Sequence, residues 1–317
     1  MRTSELAAAM IMLAVISVIY SAELAFLVVR IKCRIVKSKC PRLFSSGYFR
    51  VVHVLAILGI ACFIDGFLIE PRWIEITRVE IETVKLKNTM LRIVLFSDTH
   101  CENKPRNEQK LVEIVESLKP DVIVFTGDSL NTPKALPLFK ETLARMNAPL
   151  GKFAVRGNFD SYFWKYLDLF SGTGFKELAA ETVKIRKDGD TLYLTGFNVP
   201  VPEDFQAVLR KVPAENYNVL LYHYSDLAEA LQGLNVDLYL SGHTHGGQVR
   251  LPFYGALVTL SRFGKKYEAG MYDINEMKLY VNRGIGLENT PAPKIRFLCR
   301  PEITVFDIHP PRQMKTK

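Results

Sequence analysis

From residue 91 onward the chain repeats one unit: a short apolar run that stops at a small polar cluster, then an amphipathic stretch. Leu91–Phe96, Val122–Phe125 and 153–155 are such runs, rich in β-branched or aromatic residues. Apolar residues at consecutive positions suit strands buried on both faces. Between the first two runs, Leu111, Ile114, Val115 and Leu118 recur at i, i+3, i+4 and i+7, which predicts a helix with Asn107 as its N-cap. Pro137 stands where a second helix can begin, with Phe139, Leu143 and Met146 on one face. Further strands are expected at 191–197, 218–223 and 237–241, and helices at 203–211 and 225–233. Residues 271–283 and 302–308 read as antiparallel strands. The fold class is α/β, with right-handed crossovers between parallel strands.

The polar residues gather where these strands end. Ser97-Asp98-Thr99-His100 follows the first run, Thr126-Gly127-Asp128 the second, and Arg156-Gly157-Asn158-Phe159-Asp160 the third. Later strands lead to His223 and to Ser241-Gly242-His243-Thr244-His245-Gly246-Gly247-Gln248. Parallel strands of an open sheet place their C-terminal ends along one edge, where ligands bind. Asp98, Asp128 and Asn158 are each one strand–helix unit apart, so they converge on that edge. Glycines before Asp128, Asn158 and His243 let the backbone turn sharply there. The set holds carboxylates, imidazoles and one amide but no thiolate, which suits Mn²⁺, Fe²⁺ or Zn²⁺, with one carboxylate able to bridge two ions. Of the chain's 6 histidines, His100, His223, His243 and His245 all sit in these motifs. Taken singly, Asp98 with His100 is an ordinary strand-end turn, Gly127-Asp128 a turn signal and His223 a core histidine. It is their order, each at the end of a strand, that points to a metal site.

These motifs resemble the calcineurin-like metallophosphoesterase family, whose pattern is D-x-H, G-D, G-N-H-D or G-N-x-D, a single H, and G-H-x-H. The resemblance covers residues 91–310 and implies a sandwich of two sheets flanked by helices around a dinuclear metal site. By position, Asp98, His100 and His245 would hold one metal, Asn158, His223 and His243 the other, with Asp128 bridging. Two divalent ions are implied, manganese first, with zinc or iron as alternatives, and Asp128, Asn158 and His243 as the catalytic set. The segments Val281-Asn282-Arg283-Gly284-Ile285-Gly286, Pro293 to Arg296, and Arg300-Pro301-Glu302-Ile303 are similar to a branch of membrane-bound bacterial phosphoesterases. That branch includes a UDP-2,3-diacylglucosamine pyrophosphatase of lipid A synthesis. One position departs from the pattern. Where much of the family has a histidine that helps to protonate the leaving oxygen or stabilises the transition state, this chain has Phe159. A phosphate leaving from an anhydride is already a stable anion and needs no proton, so the change favours a pyrophosphate bond over an alkyl ester. The aromatic stretch Phe159, Tyr162, Phe163, Trp164, Tyr166 and Phe170 reads either as one packed helix face or as an apolar wall for acyl chains. Phe159, Trp164 and Arg283 are the expected substrate contacts, and Lys294 and Arg296 are either further phosphate contacts or surface residues.

Ahead of this unit lies a different regime. Residues 7–29 are apolar apart from Glu23, long enough to cross a hydrocarbon core of about 30 Å as a helix. Arg30, Lys32, Arg34, Lys37, Lys39 and Arg42 follow, a stretch that the positive-inside rule keeps in the cytoplasm. A second apolar run, 51–69, is interrupted by His53 and Asp65, and its unbroken core is short for a span, so an interfacial or re-entrant course is open to it. If only the first run spans, the rest of the chain is cytoplasmic; if both span, it lies outside. A buried helical hairpin of a soluble protein is the third possibility. The expected organisation is a membrane anchor over 1–70, a linker or edge strand over 71–90 and the catalytic domain over 91–310. The 317 residues allow one such domain plus an anchor. A net charge of +8 suits anionic lipid headgroups or a phosphate-bearing substrate, and the lack of interleaved aromatic and basic residues argues against nucleic acid. The 5 cysteines are irregularly spaced, which suits reduced thiols rather than a disulfide framework.

The expected activity is hydrolysis of a phosphoanhydride in a membrane-associated substrate, UDP-2,3-diacylglucosamine first, at a bacterial inner membrane with the catalytic domain in the cytoplasm. The alternatives are a broad phosphodiesterase or phosphatase acting outside it, and a metal-binding scaffold without turnover.

Overall fold

The computed structural model describes residues 3–39, 41, 47–288 and 294–311. Cys40, Arg42 and Pro293 lie outside the described residues. Two long helices come first: α1 (Thr3–Ile35) and α2 (Gly47–Ile64), the latter continuing through a π turn and a 3-10 turn to Arg72. They run 33 and 26 residues, each long and apolar enough to cross a membrane. They pack on each other: the Tyr20 hydroxyl donates to the Ala56 carbonyl at 3.0 Å, and the Phe26 and Phe49 rings meet at 4.9 Å. Glu23 and His53, which interrupt the two apolar runs, face each other at 3.2 Å. This pairing explains why His53 does not cut the second run short. Ile11, Val18, Leu24 and Leu58 stand exposed along the pair, which is unlike a hairpin buried in a soluble core.

Strand β1 (Glu75–Glu82) leads from α2 into the globular part, followed by β2 (Leu91–Phe96), α3 (Glu108–Leu118), β3 (Val122–Phe125), α4 (Leu136–Ala144), β4 (Lys152–Ala154) and β5 (Phe175–Glu177). Then come β6 (Glu181–Lys187), β7 (Asp190–Phe197), α5 (Phe205–Leu209), β8 (Tyr217–Tyr222) and β9 (Leu238–Ser241). The last strands are β10 (Arg250–Leu251), β11 (Gly255–Ala256), β12 (Gly270–Ile274), β13 (Met277–Val281) and β14 (Glu302–His309). They form two six-stranded sheets, β1-β14-β2-β3-β4-β5 and β12-β13-β9-β8-β7-β6, plus the small pair β10-β11.

Packing explains the unbroken apolar runs. Ile93, Leu95 and Val124 of the first sheet meet Leu194, Val219, Leu221 and Leu240 of the second between the layers. Their alternating neighbours Val94, Phe96, Ile123 and Phe125 point the other way, onto Leu111, Val115, Phe139 and Leu143 of α3 and α4. Leu220, Tyr239 and Leu279 cover the outer face of the second sheet together with Leu209, Ala228 and Leu231. The two-sheet sandwich flanked by helices is thus present, with the N-terminal helical region beside it.

Several local expectations are corrected. Asn107 stands at the N-cap of α3, but its side chain donates to the Pro71 carbonyl at 2.8 Å, tying the globular part to the end of α2. The Glu108 carboxylate accepts from the Asn107 N–H at 3.0 Å, and no side chain of the N-cap residue bonds the helix's own N–H groups. Residues 271–283 are a hairpin, β12 and β13, because Asn275 turns the chain at a φ of 54°. β13 then joins β9 in parallel, while β14 is antiparallel to β2 and parallel to β1. The helix expected at 225–233 is a 3-10 helix, Ser225–Leu231. β5 and β6 were not expected, since β6 alternates charged and apolar residues and reads as surface.

The C-terminal ends of the parallel strands lie level. Phe96 pairs with Phe125 and Phe125 with Ala154, while Leu221 pairs with Leu240. The loops after β2, β3, β4, β8 and β9 therefore open on one edge of the sandwich.

Candidate metal centre

At that edge the chain gathers two clusters of ligand-type side chains, all buried except His243, which is half-buried. Asp98, His100 and His245 form the first, and Asp128, His223 and His243 the second, with ligand atoms inside each within 4.8 Å of one another. Asp128 joins the two: its Oδ2 is 3.7 Å from His100 Nε2 and 3.2 Å from His223 Nε2. Its other oxygen is engaged, accepting from the Phe159 N–H at 2.8 Å. Asn158 adds its Oδ1 to the second cluster, 3.0 Å from His223 Nε2. All seven candidate ligands of the sequence are brought together.

The backbone is strained to do this. Asp98, His100, Asp128, His243 and His245 all have positive φ, between 39° and 71°. Each such residue costs on the order of 1–3 kcal/mol and persists where the surroundings over-determine it. The glycines act in two ways. Gly127 turns with a φ of 100°. Gly157 and Gly242 instead leave room, since a Cβ on Gly157 would lie 2.1 Å from Asp128 Oδ1 and one on Gly242 2.2 Å from Asp98 Oδ2. For these two, close approach rather than turning is the reason for glycine.

Hydrogen bonds aim the imidazoles. A carbonyl can only accept, so His223 Nδ1 donates to the Thr126 carbonyl at 2.8 Å and presents Nε2 to the centre. Asn131 spends its amide N–H on the Leu287 carbonyl, which leaves its Oδ1 to receive His100 Nδ1 at 3.0 Å. His243 Nε2 lies 3.4 Å from the Leu260 carbonyl, so its other nitrogen is the one free for the centre. The Nε2 atoms of His100 and His245 are buried with no hydrogen-bond partner. An orphaned buried nitrogen is expensive unless it holds a cation, so the donor set fits a metal.

The electrostatics of the metal-free chain point the same way. Burial pushes the carboxyl of Asp98 up, and Asp128 beside it adds to the rise. Burial pushes His100 down to about 4 and His243 to about 3. His223 goes up to about 9: burial opposes its charge, but the carboxylates of Asp128 and Asp98 outweigh it. Asp128 is held low by His223 and His100 against its own desolvation. The lone protonated imidazole thus occupies a place a cation would take.

Around the clusters the expectations divide. The Phe159 ring stands perpendicular to His100, centroids 4.8 Å apart. Trp164 donates its indole N–H to the Leu130 carbonyl at 2.8 Å and packs on the core beside buried Phe170, whereas Tyr162, Phe163 and Tyr166 are exposed. The stretch is thus not one packed face. Arg283 is held by Glu302 at 3.1 Å and Glu75 at 3.0 Å, and Lys294 pairs with Glu102. Arg296 is fully buried, donating to the carbonyls of Gly284, Gly286 and Cys299, so it is no surface residue.

Three residues escaped the sequence. Asp160 is fully buried and accepts from the N–H groups of Asp128, Ser129 and Gly157 at 2.8–3.0 Å, fixing the loop that carries the central carboxylate. The motif G-N-x-D contained it, without a role. Asn131 carried no signal. Nor did Glu288, a half-buried carboxyl lifted to about 8 by burial and then by Asp128 and Asp98.

The model of the calcineurin-like phosphoesterase family matches residues 91–247. Metallophosphoesterase YkuE of Bacillus subtilis is 32% identical over 290 residues, spanning 86% of this chain and 98% of that protein. The chain belongs to the calcineurin-like phosphoesterase family. Other relatives carry narrower names. Phosphodiesterase YaeI of Escherichia coli is 27% identical over 75% of this chain and 90% of its own length. UDP-2,3-diacylglucosamine pyrophosphatase LpxG of Chlamydia muridarum is also 27% identical, again over 75% of this chain and 90% of its own length. Membership makes the chain a hydrolase that uses a dinuclear metal centre, and the two clusters are where its fold offers one.

Proposed function

We propose that this chain hydrolyses a phosphoanhydride in a membrane-associated substrate, with UDP-2,3-diacylglucosamine, cleaved to UMP and 2,3-diacylglucosamine 1-phosphate, as the first candidate. Two divalent cations at the clusters would supply Lewis acidity toward the phosphoryl oxygens and an activated water. The chain's own residues do the rest. Asp128, with one oxygen fixed by the Phe159 N–H, keeps its Oδ2 aimed at both clusters. Thr126, Asn131 and Leu260 hold three imidazoles in orientation. The observation that carries the substrate class is Phe159, whose ring touches His100. A phenyl ring at that place donates no proton, which suits a leaving group that departs unprotonated, as a phosphate ester does from an anhydride. The long apolar helices and the similarity to LpxG support a lipid-linked substrate.

Purified full-length protein with Mn²⁺ and the UDP-lipid should release UMP, read by mass, and a chelator should stop it. No UMP release from a metal-loaded protein that cleaves a generic diester rapidly would sink the pyrophosphatase assignment.

The helical hairpin favours a second reading. With both helices crossing, the basic residues Arg30 to Lys39 stay in the cytoplasm and the catalytic domain lies outside. The substrate would then be an extracytoplasmic phosphodiester or anhydride, in keeping with the similarity to phosphodiesterase YaeI. A reporter fused to the C-terminus decides: activity outside the cytoplasm supports this second reading, activity inside supports the UDP-lipid.

A further inference from the structure

The two membrane helices do not merely precede the catalytic domain; both dock beside loops that carry candidate metal ligands. At the start of α1, Glu5 is buried and accepts from Thr259 at its N–H (3.2 Å) and its hydroxyl (2.9 Å). The next residue, Leu260, is the one whose carbonyl faces His243. At the end of α2, the Gly66 carbonyl accepts from the Arg296 N–H at 3.0 Å, and Glu70 accepts from the N–H groups of Leu298 and Cys299. Arg296 in turn reaches within 3.3 Å of His245 Nδ1, and the Cys299 thiol donates to the His245 carbonyl. The metal centre therefore lies just behind the surface from which the hairpin leaves the domain.

That surface is apolar in an unusual way. Phe253, at the tip of the β10–β11 hairpin, is fully exposed, and Leu260 and Leu298 are exposed as well. All three adopt left-handed backbone, with φ of 62°, 55° and 52°. Bulky residues seldom accept such a conformation, and exposing them to water adds nothing to the fold. Leu260 adjoins the residue held by Glu5, Leu298 is held by Glu70, and the β10–β11 pair is tied to the segment before Leu298 by the Arg250 N–H to the Phe297 carbonyl at 2.9 Å. The patch is thus continuous with the hairpin's exit points. Trp73, just past α2, is half exposed with the Arg300 guanidinium 3.6 Å above its ring. A tryptophan with a cation at the end of an apolar helix is a marker of the headgroup level.

We propose that the catalytic domain sits on the leaflet from which α1 and α2 emerge, inserting Phe253, Leu260 and Leu298 among the lipids with Trp73 at headgroup depth. The His243 and His245 side of the metal centre then faces headgroups, and the enzyme cleaves phosphorylated lipid where it lies in the membrane. The seating follows from the contacts alone; its catalytic consequence rests on the proposed lipid-linked substrate.

The test uses the full chain reconstituted in phosphatidylethanolamine–phosphatidylglycerol vesicles with brominated acyl chains. In a Trp73→Phe, Trp164→Phe background, a tryptophan replacing Phe253 should be quenched. One replacing Val84, exposed beyond the far end of β1, should not. Equal fluorescence of both would overturn the seating, as would a concentration-dependent dimer that buries the Phe253 position. A second variant, Phe253→Ser, should lose about tenfold in turnover of lipid in vesicles, the loss expected for one unburied phenyl group. Its turnover of water-soluble bis(p-nitrophenyl) phosphate should be unchanged. A parallel loss on both substrates would contradict the role of Phe253. If the wild type splits the soluble diester but no phosphorylated lipid, the lipid-substrate reading fails while the quenching result still stands.

Discussion

At the scale of single residues, Phe159 holds the main-chain half of its motif and lacks the side-chain half. Its N–H fixes one oxygen of Asp128, while its ring only packs perpendicular to His100. Phe159→His should therefore keep the loop and add a proton donor. Alkyl esters, with basic leaving groups, should gain up to ~10²-fold relative to the anhydride. The measurement is kcat/KM for both substrates in both proteins at equal metal content; an unchanged ratio would assign Phe159 to packing. A second prediction concerns pH. In the metal-free chain His223 carries a proton up to about 9 and burial lifts Asp98, so metal must displace protons to bind. Apparent metal affinity, read by calorimetry, should rise from pH 6 to pH 8, and a flat profile would mean that these groups are not ligands. The seven candidate ligands were legible because they stand in short motifs at strand ends. Asp160 was half legible, since its carboxylate serves the backbone of a loop some thirty positions away, a relation that no local pattern records.

At the scale of elements, the parallel strands were readable and the edges were not. β2, β3, β8 and β9 are buried on both faces and so appear as unbroken apolar runs, whereas β5 and β6 lie at the ends of their sheets with one side toward water. The helix N-cap failed for a tertiary reason: Asn107 is drawn away to Pro71, in the turn that ends the second apolar helix. The glycine after β9 shows how an element's end shapes the site. A Cβ at Gly242 would lie 2.1 Å from Ser97 Oγ and 2.2 Å from Asp98 Oδ2. Gly242→Ala should push Asp98 out of its cluster, so that the variant stays folded by circular dichroism but binds less metal and loses most of its turnover. Full metal content and activity in that variant would show that the β9 loop has slack which the packing does not suggest.

At the scale of the whole molecule, the two apolar helices and the sandwich are joined by buried carboxylates at both ends of the hairpin, Glu5 on Thr259 and Glu70 on Leu298 and Cys299. In the sequence these acids look like the polar margins of apolar runs, which is why the docking of the two helices was not legible. The proposed hydrolysis depends on two clusters sharing one carboxylate, because that arrangement makes the edge of the sandwich a two-metal site. The direct measurement is metal per chain by mass spectrometry, alongside turnover of a phosphodiester, for the wild type and for Asp128→Asn. Two ions per chain in the wild type, with both metal content and turnover collapsing in Asp128→Asn, is the predicted result. Near-normal turnover with undiminished metal in that variant would contradict the account.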